Sequence, residues 1–393
     1  MAGNATSESG VHLRIHRQWL NGGALRIEGR LQGPPGHSHT LFFEVPRAQA
    51  GWVTPLADPV LVALLMPLMK WGFPVHVHGA VTARLLANLV EYQRIFARWL
   101  PDELREIPIT ADRIARPRRA SRYPRPLLAF SGGTDSLFSA HKWSAPVQGP
   151  SRLAWAVLAQ GFDIPLEGED YFRRHADQCR SVLASRNVSL FTARTNAMET
   201  AGAFGLRWGL THHGPAVASL LLLFQRKFDL GLIASTYVCD NVSTPWGSNS
   251  LTDPLLGSGE MGVLHDGAAF DRMGKLRRLR DWPEAFAGMR VCWKWPRPSG
   301  NCGACYKCLY VRTILKVLGV EESMPFDVPL DESSVRALDL ENQWNLMNWE
   351  RLLAEAEKTL RDSPWLETIR ITVERGRAAY AAGSPPIGGR KPR

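Results

Sequence analysis

The sequence predicts an α/β fold built on a parallel sheet, and three observations carry that expectation. Leu127-Leu128-Ala129-Phe130, an apolar run of strand length, leads directly into Ser131-Gly132-Gly133-Thr134-Asp135-Ser136 and then into a segment of helical propensity. Beyond it, strand-like and helix-like segments alternate as far as Ser235, which implies parallel strands joined by right-handed crossovers. Cys292, Cys302, Cys305 and Cys308 then form a C-x9-C-x2-C-x2-C pattern, which points to metal.

The elements follow in order. Residues 1–10 are small and polar and read as disordered. Val11 to His16, Ala24 to Glu28 and Leu41 to Val45 are strand-like runs separated by the Gly- and Pro-rich turns at 21–23 and 33–36. Asp58 to Trp71 is an apolar helix, Pro74 to His78 a short strand, Val81 to Leu100 an amphipathic helix and Ile107 to Thr110 a last strand. Residues 1–112 are therefore expected to form an N-terminal α+β domain. An extended Arg/Pro-rich linker at 113–126 follows, with six Arg and three Pro. Strands at Leu153 to Leu158, Val188 to Thr192 and Leu230 to Ser235 alternate with helices at Gly168 to Arg186 and His213 to Phe224. A second domain, with the parallel sheet, spans 127–330 and includes the cysteine knuckle at 292–308. C-terminal helices occupy 331–382, and a disordered basic tail 383–393.

Gly132 and Gly133 permit a turn closed to residues with a Cβ, so successive backbone N–H groups and a helix N-terminus face one spot. The hydroxyls of Ser131, Thr134 and Ser136 add donors, and the expected guest is a phosphate or pyrophosphate. Gly-Gly before Asp or Ser is also ordinary turn and N-cap chemistry; the complete string directly behind a strand is more specific. It is not a Walker loop, because no Lys stands at the required place.

Four thiolates at the spacing of Cys292, Cys302, Cys305 and Cys308 suit tetrahedral Zn²⁺, with Gly300, Asn301 and Gly303 allowing tight turns. A redox C-x-x-C pair and an iron–sulfur cluster are the alternatives, and the redox pair leaves two Cys unexplained. Cys179, on an apolar helical stripe, and Cys239 read as packing residues. His76 and His78 share a strand face and His37 and His39 repeat the spacing; with no Asp, Glu or Cys in register, surface or packing roles are favoured over a metal pair. The irregular stretch 236–262, carrying Trp246, sits where substrate contacts are usually built.

The chain carries a formal net charge of +10, concentrated at Arg113–Arg125 and Arg272–Arg280. Either cluster suits nucleic acid or nucleotide phosphate, or is simply solvated. Pro59 to Met69 is too short for a bilayer, which needs about 20 residues. No membrane association and a cytoplasmic location are expected.

The S-G-G-T-D-S loop closely resembles the PP-loop of the ATP pyrophosphatases. With the four-Cys knuckle following in the right order, residues 126 to about 320 resemble the 7-cyano-7-deazaguanine synthase family within that group. The resemblance implies a Rossmann-like sheet of the adenine nucleotide alpha hydrolase-like type. It implies ATP with Mg²⁺ at Ser131, Gly132, Gly133, Thr134, Asp135 and Ser136, and Zn²⁺ on the four cysteines. It also implies cations near the nucleotide phosphates, here Arg272 and Lys275, with Ser131, Asp135, Ser136 and Lys275 as the catalytic set. Family members adenylate 7-carboxy-7-deazaguanine, release pyrophosphate, and convert the adenylate to an amide and then a nitrile.

The chain departs from that family where the base is bound: Thr211-His212-His213-Gly214 replaces a Gly-Arg-Asn-type sequence, and Pro245-Trp246-Gly247-Ser248-Asn249 a Pro-Asp-x-Arg-type segment. Trp246 is either a stacking platform for a purine-like base or an ordinary half-buried aromatic. Relatives with an extra domain are associated with anti-phage and with DNA- or protein-modification operons. By analogy the chain is expected to be an ATP-dependent ligase that converts a deazaguanine-type carboxylate to an amide or nitrile, and the extra N-terminal domain offers a place for a protein or nucleic-acid acceptor to dock. A tRNA-modifying PP-loop enzyme and a non-catalytic ATP-binding module of a defence complex are the competing functions.

Overall fold

The computed structural model describes residues 10–116, 122–239, 245–292, 294, 300–320, 324–340 and 342–382. The chain divides into two compact units, Met1–Asp271 and Arg272–Arg393.

The first unit opens with β1 (Val11–Trp19), β2 (Ala24–Gln32) and β3 (Ser38–Pro46), an antiparallel meander. It continues through α1 (Asp58–Trp71), β4 (Val75–Thr82), α2 (Ala83–Trp99) and β5 (Ile109–Ala115), with β4 running parallel to both β1 and β5. The second half alternates β6 (Pro126–Ala129), α3 (Thr134–Ser144), β7 (Trp155–Gln160), α4 (Glu169–Ala184) and β8 (Ser189–Thr195). After α5 (Ala197–Ala203) come α6 (His213–Leu222), β9 (Leu230–Ala234) and β10 (Gly262–Asp266). Strands β6 to β10 are mutually parallel.

All ten strands belong to one sheet, in the order β10-β9-β6-β7-β8-β3-β2-β1-β4-β5. The expected boundary between an N-terminal domain and a nucleotide domain does not interrupt it: β3 pairs antiparallel with β8 through Phe43 with Thr195 and Glu44 with Arg194. Burial gives the reason. Every residue of α1 from Asp58 to Met69 is buried, and a helix apolar all round must be covered on both sides. One side lies on β2, where a Cβ at Gly29 would stand 2.2 Å from Val60 Cγ1. Its other neighbour is α6, whose Leu220, Leu221 and Leu222 are buried, so a single core runs from Val11 to Val263.

The crossovers leave β6 toward β7 and β8, then return through α6 to β9 on the far side of β6. Right-handed connections thereby place α3 and α4 on one face and α6 on the other. The chain reverses its winding at β6, and ligands of such sheets bind beyond the C-terminal strand ends at that point.

The second unit comprises α7 (Arg272–Arg278), α8 (Pro283–Ala287), α9 (Tyr306–Val317), α10 (Glu332–Arg336), α11 (Gln343–Thr359) and α12 (Pro364–Ala381). The cysteine knuckle thus belongs with the C-terminal helices, whereas the sequence reading grouped it with the sheet. Side-chain caps by Asp331, Asn342 and Ser363 start the last three helices. Residues 117–121 of the Arg-rich connector and the tail 383–393 lie outside the described residues. Among the described residues no helix is long and apolar enough to cross a membrane.

Candidate functional site

The loop Ser131–Ser136 leaves the C-terminal end of β6, the strand at which the sheet changes winding direction. Phe130 N donates to Val157 O at 2.9 Å, the last tie to the sheet before the chain turns. Gly132 turns it at φ 75°; a Cβ there would lie 2.9 Å from His175 Cε1 and 3.0 Å from Cys179 Sγ. Glycine is therefore required both by conformation and by space. His175 Nε2 donates to the Ser131 carbonyl at 2.9 Å, fixing the turn from α4.

Within the loop, Ser136 Oγ donates to Gly133 O at 3.1 Å, Ser131 N donates to Ser136 Oγ at 3.3 Å, and Gly133 N donates to Ser131 Oγ at 3.4 Å. Helix α3 begins at Thr134 behind Gly133, which offers no side-chain cap. The first four N–H groups of an α-helix have no partner inside the helix, and the positive end of the dipole adds to them. The arrangement suits an anion held against the loop. Ser131 is exposed while Thr134 and Ser136 are buried, so the opening is on the Ser131 side.

Two residues that the sequence reading did not single out hold this geometry. His175 precedes Cys179 by one helical turn on the apolar stripe of α4, which is the signal that would have found it. Asp266, the last residue of β10 and itself buried, accepts from Ser139 Oγ at 2.7 Å and from Lys142 Nζ at 2.6 Å, clamping α3 against the sheet. No sequence signal marks it, because β10 is only five residues long and follows directly on the irregular stretch 236–262.

The segment after β9 is ordered by its own side chains. Asp253 Oδ2 accepts from Ser248 Oγ at 2.7 Å and from His265 Nδ1 at 2.8 Å, and Asn249 Oδ1 accepts from the N–H groups of Leu251 and Thr252. Trp246 is half-buried and packs edge-on to His213 and Tyr237, with ring centroids 5.4 and 5.2 Å away. Gly214 and Gly247 meet backbone to backbone beneath it. His212 is fully buried with both ring nitrogens unpartnered, and desolvation lowers its pKa to about 3. Cys179 is buried as expected of a packing residue, but Cys239 is exposed, because it stands in the turn after β9 rather than on a packed face.

In the second unit the four cysteines converge: all four sulfurs lie within 4.8 Å of one another. Cys292 and Cys305 are 3.9 Å apart, Cys302 and Cys308 3.9 Å, and Cys305 and Cys308 3.5 Å. Tetrahedral zinc with Zn–S bonds of about 2.3 Å needs sulfurs about 3.8 Å apart. Gly303 turns at φ 78° against Val328, and Asn301 ties the two arms together. Its Oδ1 accepts from Val291 N and Cys292 N, and its Nδ2 donates to Met289 O and Pro325 O. Cys305 N donates to Cys302 Sγ at 3.3 Å, and Cys305 immediately precedes α9. As bare thiols the four cannot share charge evenly: hydrogen bonds from Cys305 and Cys308 hold Cys292 low, Cys305 is pushed up to about 11 by its neighbour Cys292, and Cys308 is pushed up further. A divalent cation removes that conflict, and this buried cluster can bind a metal such as zinc.

Arg272 and Lys275 lie in α7 of the second unit, not in the unit that carries the loop. Lys275 is 1 % exposed, so it is not part of a solvated helix face. The chain matches no protein-family model, no curated protein and no solved structure.

Proposed function

We propose that the chain is an ATP-dependent ligase of the PP-loop type, which cleaves ATP to AMP and pyrophosphate in order to adenylate a carboxylate. The observation that carries this reading is the loop Ser131–Ser136, a glycine-shaped anion cradle between the central strand β6 and the N-terminus of α3. In it, backbone N–H groups and the hydroxyls of Ser131, Thr134 and Ser136 bind the departing pyrophosphate, which is stabilisation of developing negative charge. Asp135, in the first turn of α3, supplies a carboxylate to the Mg²⁺ that accompanies the nucleotide. The cluster of Cys292, Cys302, Cys305 and Cys308 holds zinc in a saturated shell with no position for substrate, so its role is structural.

The substrate in this reading is 7-carboxy-7-deazaguanine or a related acid, recognised by groups other than those the family uses, since the segments 211–214 and 245–249 differ. A macromolecular acceptor, in an anti-phage setting, receives the activated acyl group. The test is ATP–pyrophosphate exchange dependent on the deazaguanine acid, with AMP as the nucleotide product and its loss in Asp135→Ala. ADP and phosphate as the sole products would overturn the reading.

A further inference from the structure

Strands β1, β4 and β5, at the end of the sheet remote from the Ser131 loop, bring together His12, His76, His78, Thr110 and Asp112. The sequence put His76 and His78 on one strand face but offered no carboxylate in register. The fold supplies one. Register between β4 and β5 slips between Val77 and Ala80, so that His78 and Gly79 together oppose the single residue Asp112. Such a bulge re-aims side chains, and Gly79 permits it at φ 150°.

His76 Nε2 lies 2.7 Å from Asp112 Oδ1 and His78 Nδ1 lies 3.6 Å from the same oxygen, with one donor atom from each residue inside a 4.8 Å span. The outward nitrogens are already held. His76 Nδ1 is 2.9 Å from Thr110 Oγ1, which donates to Val75 O at 3.3 Å, and His78 Nε2 is 3.0 Å from His12 Nδ1. Because the Thr110 hydroxyl gives its proton to Val75, it accepts from His76, and Nδ1 of His76 carries the hydrogen. Nε2 and Asp112 Oδ1, 2.7 Å apart, share a proton in the absence of metal, and an ion bound between them would take that proton's place. In the same way, a hydrogen on His78 Nε2 given to His12 leaves the Nδ1 lone pair on the Asp112 side. Metal-binding histidines are oriented by such outer hydrogen bonds.

We propose that His76 Nε2, His78 Nδ1 and Asp112 Oδ1 form a second metal site, for a divalent transition ion of borderline softness such as Zn²⁺, Co²⁺ or Ni²⁺. Two imidazoles among three donors disfavour Mg²⁺ and Ca²⁺, which prefer oxygen. The side chains of His76, His78 and Asp112 are 37 %, 26 % and 51 % exposed, which leaves a path for the ion and open coordination positions for water or an anion. Arg14, in register with His78, opposes the cation by its charge and favours an anionic fourth ligand. The site is thus an exchangeable one, unlike the buried cysteine cluster.

The experiment is a Co²⁺ titration of the full-length protein after mild chelation, followed by visible absorbance and by metal count, alongside Asp112→Asn and the double variant His76→Ala/His78→Ala. The wild type is expected to bind one equivalent more than the double variant; a further variant, His12→Ala, which removes only the partner of His78 Nε2, should bind about 10–100-fold more weakly, and Asp112→Asn, which alters a ligand itself, more weakly still. Melting curves matching the wild type show that each variant is folded; these are half-exposed positions. Equal Co²⁺ stoichiometry in folded double variant and wild type overturns the site.

Discussion

His175 Nε2 donates a hydrogen bond to the carbonyl oxygen of Ser131 at 2.9 Å, and its ring fills the space where a Cβ on Gly132 would project. The turn of the anion loop is therefore made on one side by glycine's conformational freedom and on the other by a histidine on a different helix. Gly132→Ala must adopt φ near 75° and displace both His175 and Cys179. A cost of about 1–3 kcal/mol is expected for the conformation alone. The proposed ATP binding, measured by calorimetry, should fall by at least about tenfold, because the loop reshapes before the fold is lost. Unchanged affinity would show that the loop does not hold the nucleotide.

Cys305→Ser removes one sulfur from the cluster at the N-terminal end of α9, where Cys305 makes no side-chain cap. Metal-binding free energy is folding free energy in such knuckles. Metal analysis of the purified variant should show loss of the tightly held ion, and hydrogen exchange should accelerate in residues 300–317. A variant with the wild-type metal content and protection would remove the cluster from consideration as a metal centre.

The parts legible in the sequence were those with a local signature. Helix α1 is bounded at Asp58 and Trp71 in sequence and structure alike, because a continuous apolar run from Pro59 to Met69 is followed closely by Gly72, which closes the helix in the left-handed region. The cysteine cluster followed from spacing alone. What stayed hidden was contact between distant segments. Nothing in the β3 sequence says that its outer edge pairs with β8 rather than with water, and Asp112 meets His76 and His78 only through a bulge. Likewise β10 is a five-residue strand with two exposed positions after a Pro- and Gly-rich stretch, too short for periodicity to mark.

Asp58 and His212 should pull stability in opposite directions with pH. Burial raises the Asp58 carboxyl from its usual value to about 6, despite hydrogen bonds from Thr82 N at 2.9 Å and Gln225 Nε2 at 3.2 Å. Between about pH 4 and 6 the folded state binds this proton and the unfolded state does not, so the contribution is lost as pH rises through that window. His212, lowered to about 3, behaves oppositely: the unfolded state takes up a proton below about pH 6.5 that the folded state refuses, so stability is lost as pH falls. Each slope is about 1.4 kcal/mol per pH unit, so the two largely cancel between pH 4 and 6. Urea melts of Asp58→Asn should therefore show a steeper acid loss than the wild type, and His212→Leu a shallower one. Parallel pH profiles for all three proteins would contradict both assignments.

A chain truncated to begin at Arg122 should fail to fold rather than keep nucleotide chemistry without an acceptor site. The sequence predicts a separate α+β domain over residues 1–112, but β3 completes one edge of β8, Thr54 N donates to Leu223 O at 2.8 Å, and α1 covers α6. Removing them uncovers the face of α6 that packs on α1, at about 1.5–3 kcal/mol for each apolar side chain bared. Three such losses already rival the total stability of a typical domain, about 5–15 kcal/mol. Circular dichroism and size-exclusion chromatography of the truncated chain should report aggregated or unfolded protein. The proposed acceptor is better tested with surface changes that leave the sheet intact, such as charge reversal at Arg113 and Arg116. A truncated chain that is soluble, monomeric and melts cooperatively would show that the sheet tolerates division between β3 and β8.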